Sequence, residues 1–217
     1  EQMLYAACFR VMAEISEQLG KDGNVYRQEY EKLTAAIEKF FWDEEKGAYI
    51  DSFTSGKRNV TRHANIFAIL FDIADKQKQE KILTNVLEND EIPAITTPYF
   101  NFFELDVLCQ MGKLTEVLDK IRSYWGGMLD LGAVTFWEEY DPSVPKEEQY
   151  DMYGDHFGKS LCHAWAASPI YFLAKYFAGL DLVNKDGVTY VLKPQMQYFT
   201  DLDCTLPVGS DGTVRLA

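Results

Sequence analysis

Residues 2–42, QMLYAACFRVMAEISEQLGKDGNVYRQEYEKLTAAIEKFFW, hold two helical periods separated by a glycine-containing turn. In the first, Leu4, Cys8, Val11, Ile15 and Leu19 recur at spacings of three and four, which marks one face of a helix, and Gly20 is a stop signal. In the second, Tyr26, Tyr30, Leu33, Ile37 and Phe41 do the same. Helix, short turn, helix is a hairpin, and the rest of the chain repeats this theme.

After a turn at residues 44–47 and a short extended stretch at 48–51, the helical pattern returns at Ile66, Ile69, Leu70 and Ile73. It returns again at Ile82, Leu83, Val86 and Leu87, with residues 76–79 (KQKQ) reading as a polar break between these two helices. Pro93 ends a loop, and Pro98 opens a fifth helix with Phe102, Leu105 and Leu108, which stops near Gly112. Leu114, Val117, Leu118, Ile121 and Trp125 form a sixth. A long loop is expected over residues 126–158. The seventh helix carries Ala166, Ile170, Leu173 and Phe177 and ends at Gly179, with Ser168 as cap and Pro169 in the first turn, or with Pro169 as a kink. Beyond Leu182 the period falls to two, through Val188, Tyr190 and Leu192 and then Leu202, Cys204 and Leu206, with a turn at 209–212. The expectation is a mainly α fold of about seven helices in hairpins, closed by about three strands. Such hairpins build either a solenoid or part of an (α/α) toroid. No fixed-length repeat is present, which weighs against the solenoid.

Composition narrows the partners. The 217 residues are 47% hydrophobic and 14% aromatic, enough for a packed core. The formal net charge of −13 repels phosphate backbones and anionic membrane surfaces, so neither nucleic acid nor membrane is expected as a partner, whereas neutral sugars are compatible. No stretch reaches the ~18 apolar residues a membrane helix needs. The chain opens on Glu1 and enters an amphipathic helix directly, as expected of a piece of a longer protein rather than of a signal peptide. Cys8, Cys109, Cys162 and Cys204 are far apart with no CxxC pair, so no metal site is expected. Cys8 and Cys109 read as small buried hydrophobes. No cofactor motif is present.

Three segments carry chemistry. In residues 132–142 (GAVTFWEEYDP), Glu138 stands among Trp137 and Tyr140. Carboxylates hemmed by aromatic faces suit glycosidase sites, where the ring stacks on the sugar and the carboxylate moves a proton. The same residues also read as an acidic surface loop held by buried Trp137 and Tyr140. In residues 160–165 (SLCHAW), His163 and Trp165 are two apart and would not share a helical face, but in a loop or helix start both can project into a cavity. A satisfied structural histidine is the competing reading. Residues 96–104 (TTPYFNFFE) are too rich in aromatics for one core face, although Phe102 and Phe103 read as core.

Taken in order, these segments resemble a known family. Thr97-Pro98-Tyr99-Phe100 with Leu105-Asp106-Val107-Leu108 and Gly112, the loop from Gly132 to Glu138, and residues 163–169 (HAWAASP) are similar to the TPYF…LDAL…G, GATTFWE and HGWGASP segments of α-L-rhamnosidase-type glycoside hydrolases. The resemblance implies an (α/α)6 toroid of six hairpins, with residues 1–182 as its C-terminal part and residues 183–217 as the start of a C-terminal β domain. It implies an inverting reaction on terminal α-L-rhamnosides. Glu138 would be the general base, His163 would bond the sugar, and Trp137, Trp165 and Tyr99 would line its pocket. Polysaccharide-degrading relatives of this kind are commonly exported, so a periplasmic or extracellular setting is expected.

Two departures accompany the likeness. The family's acid lies in an upstream RDE-type motif that this sequence lacks, and Ala164 and Ala166 stand where the family has glycines. Seven helices cannot close a twelve-helix ring, so self-association through an open apolar edge is expected. The competing readings are a non-catalytic carbohydrate-binding or scaffold module from a degenerate glycosidase, and another toroid enzyme of glucoamylase-like or debranching type.

Overall fold

A computed structural model describes residues 1–183 and 189–217. Contiguous α and π turns joined together give seven helical segments among the described residues. These are α1 (Gln2–Gln18), α2 (Asn24–Phe41), α3 (Arg62–Leu70), α4 (Lys76–Ile82, running on through Leu83–Leu87), α5 (Pro98–Gln110), α6 (Leu114–Lys120, running on through Ile121–Trp125 and Gly126–Asp130) and α7 (Ser168–Phe172, running on through Leu173–Phe177). The chain forms two compact units, Glu1–Ile95 and Thr96–Ala217.

In the first unit, α1 and α2 pack as a hairpin, but α1 buries a different face from the one its periodicity suggests. Met3, Ala6, Ala7, Ala13 and Ser16 are turned inward, while Leu4, Val11, Ile15 and Leu19 are exposed. Small side chains let α2 approach closely: a Cβ on Gly23 would stand 2.7 Å from the Ala13 carbonyl oxygen. Cys8 lies on the outward face and is exposed, so its reading as a buried hydrophobe is corrected. Cys109 is buried in α5, and burial pushes its thiol up to about 12.

The short strands β1 (Trp42–Asp43) and β2 (Ala48–Tyr49) pair antiparallel around the expected turn. Fully buried Asn65 holds β2 by main-chain bonds. Its Oδ1 accepts the Tyr49 N–H at 2.8 Å, and its Nδ2 donates to the carbonyls of Tyr49 and Thr61, each at 2.9 Å.

Helix α3 ends sooner than its apolar pattern, because Asp72 takes the left-handed position (φ 55°) and the N–H of Ile73 turns back to the Ala68 carbonyl. Residues 76–79 are not a break. Asp75 caps the Lys78 N–H at 2.9 Å, so they are the first turn of α4.

In the second unit, α6 continues five residues beyond the expected end. Gly126 and Gly127 are helical rather than loop residues, and Gly127 is required by contact. A Cβ there would meet the Tyr140 hydroxyl at 2.4 Å and its ring at 2.6 Å. The helix then stops at Gly132 (φ 91°), where the Ala133 N–H returns to the Met128 carbonyl.

Helix α7 begins at Ser168 with Pro169 in its first turn, so Pro169 starts the helix rather than kinking it. Ser168 makes no cap hydrogen bond with its side chain, which is buried instead.

After α7 come two antiparallel hairpins, β3 (Leu180–Leu182) with β4 (Tyr190–Leu192) and β5 (Cys204–Val208) with β6 (Gly212–Leu216). Four strands are therefore described where about three were expected. Val188, named in the alternating pattern, lies outside the described residues.

Candidate active site

The Glu138 loop is held by main-chain bonds on two sides within the second unit. Phe136 accepts the His163 N–H through its carbonyl at 2.8 Å, and Glu138 donates its N–H to the Ser160 carbonyl at 2.9 Å. On the other side, the Tyr140 N–H donates to the Thr96 carbonyl at 3.1 Å. Thr96 also accepts the Tyr124 hydroxyl on that carbonyl and donates its own hydroxyl to Glu139 at 2.8 Å. One residue just before α5 thus fixes the C-terminal side of the loop. The Trp125 indole N–H, bonded to the Ala166 carbonyl at 2.8 Å, ties α6 to the turn that precedes α7.

Glu138 is half-buried, and both of its carboxylate oxygens are engaged. Oε2 accepts the Ser160 N–H at 3.1 Å and Oε1 accepts the Tyr153 hydroxyl at 2.9 Å. The Ser160 amide chiefly holds this carboxyl below the usual carboxylate range. Partial burial opposes the shift, and the Tyr153 hydroxyl and the charges of His163 and Lys159 add to it. Its neighbour Glu139 faces Lys159, with Nζ 3.8 Å from Oε2 and the lysine side chain only 3% exposed. Burial lowers the Lys159 ammonium below its ordinary range and outweighs the surrounding carboxylates.

The expected pocket residues fall into two groups. His163, Trp165 and Tyr99 form a continuous row, with His163 and Trp165 ring centroids 4.6 Å apart and Trp165 and Tyr99 4.9 Å apart. Trp165 and Tyr99 are 57% and 46% exposed, so each offers an open ring. His163 stands outside the helix, with extended backbone (φ −121°, ψ 104°) just ahead of the 3-10 turn Ala164–Ala166, so helical spacing does not separate its ring from that of Trp165. Trp137 is different: it is 3% exposed and packs edge-to-face on Tyr150 beneath the loop. Phe102 packs on Tyr171 and Phe172, in keeping with a core role.

Tyr153, Ser160 and Lys159 were not singled out by the sequence. Ser160 acts through its backbone, and Tyr153 reaches Glu138 from 15 residues away, so no local pattern marks either. Among the described residues, no three of His, Cys, Asp and Glu gather as a metal-binding set, and no helix is long and apolar enough to cross a membrane.

Comparison with known proteins follows the same lines. The chain is similar to a rhamnosidase from Klebsiella oxytoca with rhamnose bound, at 30% identity and a TM-score of 0.69, over 81% of this chain and 33% of that one. Its fold is similar to that of a GH78 family rhamnosidase of Bacillus sp. GL1, at 24% identity and a TM-score of 0.83, over 98% of this chain and 22% of that one. It is likewise similar to that of an α-L-rhamnosidase from Dictyoglumus thermophilum, at 21% identity and a TM-score of 0.67, over 89% of this chain and 21% of that one. The chain therefore spans a third of the first relative and about a fifth of the other two. No curated protein matches it. The family described as the bacterial alpha-L-rhamnosidase 6 hairpin glycosidase domain matches residues 1–177, and the chain belongs to that family.

Proposed function

We propose that this chain is the C-terminal part of the catalytic toroid of an inverting glycoside hydrolase that removes terminal α-L-rhamnosyl groups, with Glu138 as general base. In the reaction a water attacks the anomeric carbon while Glu138 takes a proton from that water. The glycosidic C–O bond breaks on the opposite face, and the leaving oxygen takes a proton from a general acid outside this sequence. Inversion needs the two carboxyls ~6.5–9.5 Å apart, so that the water fits between base and carbon.

The observation that carries this reading is Glu138 itself, half-buried, with each carboxylate oxygen held by a donor and the charge of His163 acting on it. A carboxylate kept ionised accepts protons. The exposed rings of Trp165 and Tyr99, continuous with His163, suit the apolar face of a sugar. Family membership supports a glycosidase of the rhamnosidase kind. Trp137 supports the loop from beneath and shapes the wall at second hand.

Residues 1–182 belong to the toroid on this reading, and residues 183–217 open a β domain. Without its acid the isolated chain is inactive, since acid assistance is typically worth 10²–10⁴-fold. The exposed apolar face of α1 is covered either by the rest of the ring or, in the isolated chain, by a second copy.

The test is hydrolysis of an aryl α-L-rhamnoside by the full-length enzyme and its Glu138→Gln variant. Loss of turnover with sugar binding retained supports the base. Turnover that survives overturns it. Rhamnose binding by calorimetry, with no hydrolysis by the unaltered enzyme, returns the reading to a non-catalytic sugar-binding module.

A further inference from the structure

Among the described residues, three non-glycine positions have positive φ: Arg58 (49°), Asp72 (55°) and Tyr153 (55°). The first two are accounted for locally. Arg58 reaches the Asp43 carboxylate, with Nε to Oδ2 at 2.8 Å, and Asp72 ends α3. Tyr153 has no such account.

Tyr153 and Gly154 (φ 86°) are the central pair of a two-residue hairpin turn. Met152 and Asp155 exchange main-chain bonds at 3.0 Å across it. Positive φ at both central residues is the type I′ arrangement, in which asparagine, aspartate or glycine normally fills the first position. An aromatic residue there bears the steric cost of a left-handed backbone, where Cβ crowds the following carbonyl oxygen. The ring is 79% exposed, so burial does not offset that cost. What the conformation does achieve is a 2.9 Å hydrogen bond from the phenol to Oε1 of Glu138. Backbone strain of this sort concentrates at functional sites.

We propose that Tyr153 is a positioning residue of the Glu138 site, held in the left-handed region so that its hydroxyl fixes the plane of the carboxylate. The inference rests on Glu138 being the base. Ser160 anchors Oε2 through its amide and Tyr153 anchors Oε1, so the carboxylate cannot turn about its terminal bond. Each oxygen keeps a second lone-pair direction, and those directions are fixed for an incoming water. Tyr153 is bonded to the carboxylate that takes the proton on this reading, so its loss acts on kcat more than on KM. The charged groups around the carboxylate, His163 and Lys159 with Glu139 next in the chain, stay in place when Tyr153 is changed.

Three variants of the full-length enzyme, assayed on an aryl α-L-rhamnoside, test this. Tyr153→Phe keeps the ring and the turn but loses the donor. We expect kcat to fall roughly ten- to hundredfold, as for a lost hydrogen bond to a charged group, with KM within about twofold. The acid limb of the pH profile should move to higher pH, because a donor to the ionised carboxylate is lost. Tyr153→Asn creates the favoured Asn-Gly pair. It should lose kcat similarly while raising Tm, because the strain is relieved.

Opposite signs in activity and stability are what a merely structural tyrosine would not produce. Unchanged kcat and acid limb in both variants, or a lower Tm in Tyr153→Asn, overturns the proposal. Glu138→Gln is the third variant and separates the two readings. Turnover surviving in it removes the base assignment and this inference together. Its inactivity beside fully active Tyr153 variants removes this inference alone.

Discussion

Glu138 and Ser160 are bound to each other at two points: the Glu138 N–H donates to the Ser160 carbonyl at 2.9 Å, and the Ser160 N–H donates to the Glu138 carboxylate at 3.1 Å. The second bond favours the ionised carboxylate and depresses its pKa. A base with a depressed pKa is competent above that value and fails as pH falls through it. The acid limb of kcat/KM for the full-length enzyme should therefore lie below the ordinary glutamate value of about 4.3. A pH series of initial rates on an aryl rhamnoside reads this directly, and a limb above that value contradicts the hydrogen-bonding scheme.

The two adjacent glycines of α6 make a matched pair. Gly126→Ala meets nothing within 4 Å and should stabilise the helix by up to about 1 kcal/mol. Gly127→Ala drives a methyl into the Tyr140 ring and should cost roughly 1–3 kcal/mol. Thermal melts of the two variants should move in opposite directions.

Asn65 is satisfied by one acceptor and one donor group in a fixed orientation. Asn65→Asp keeps the shape but sets an oxygen against the carbonyls of Tyr49 and Thr61. Losing those bonds in a fully buried site should cost roughly 2–4 kcal/mol, read as a lower urea midpoint with an unchanged slope.

The Trp165 and Tyr99 rings are exposed and lie side by side, tilted by 41°. If they carry the sugar, Trp165→Ala removes a contact made equally by substrate and transition state. KM should rise about tenfold with kcat little changed. Steady-state kinetics on the full-length enzyme separates the two parameters.

The outward face of α1 presents Leu4, Tyr5, Val11, Met12, Ile15 and Leu19 to solvent. The isolated chain is expected to self-associate, with a light-scattering mass above 24.9 kDa that rises with concentration. A Leu4→Lys, Val11→Lys, Ile15→Lys triple variant should return it to a monomer.

Helix order was legible because the period of apolar residues reports burial averaged over a turn. Pro98 and Gly112 bound α5 where the sequence places them. The same signal misled at α1, where the large residues read as the inner face are exposed and alanines pack against α2. Periodicity finds a stripe but not the neighbour it faces. The ends of α3 and α6 were displaced for local reasons. An aspartate filled a position usually held by glycine, and Gly127 was set by a distant tyrosine rather than by a turn. The region around Glu138 stood out by composition. Its partners did not, because a main-chain amide 22 residues on has no signature in side-chain pattern.

That amide has an evolutionary corollary. Substitution at position 160 by any residue other than proline leaves the N–H in place, so descendants of this sequence can vary there and keep the bond to the Glu138 carboxylate. The exposed rings at 99 and 165 stand on separate elements, the start of α5 and the turn before α7. If, as proposed, those rings carry the sugar and Glu138 takes the proton, substrate preference can drift through positions 99 and 165 while the hydrogen bonds on the Glu138 carboxylate stay in place, and directed libraries for new glycosides would leave the 136–138 and 160–163 backbone untouched.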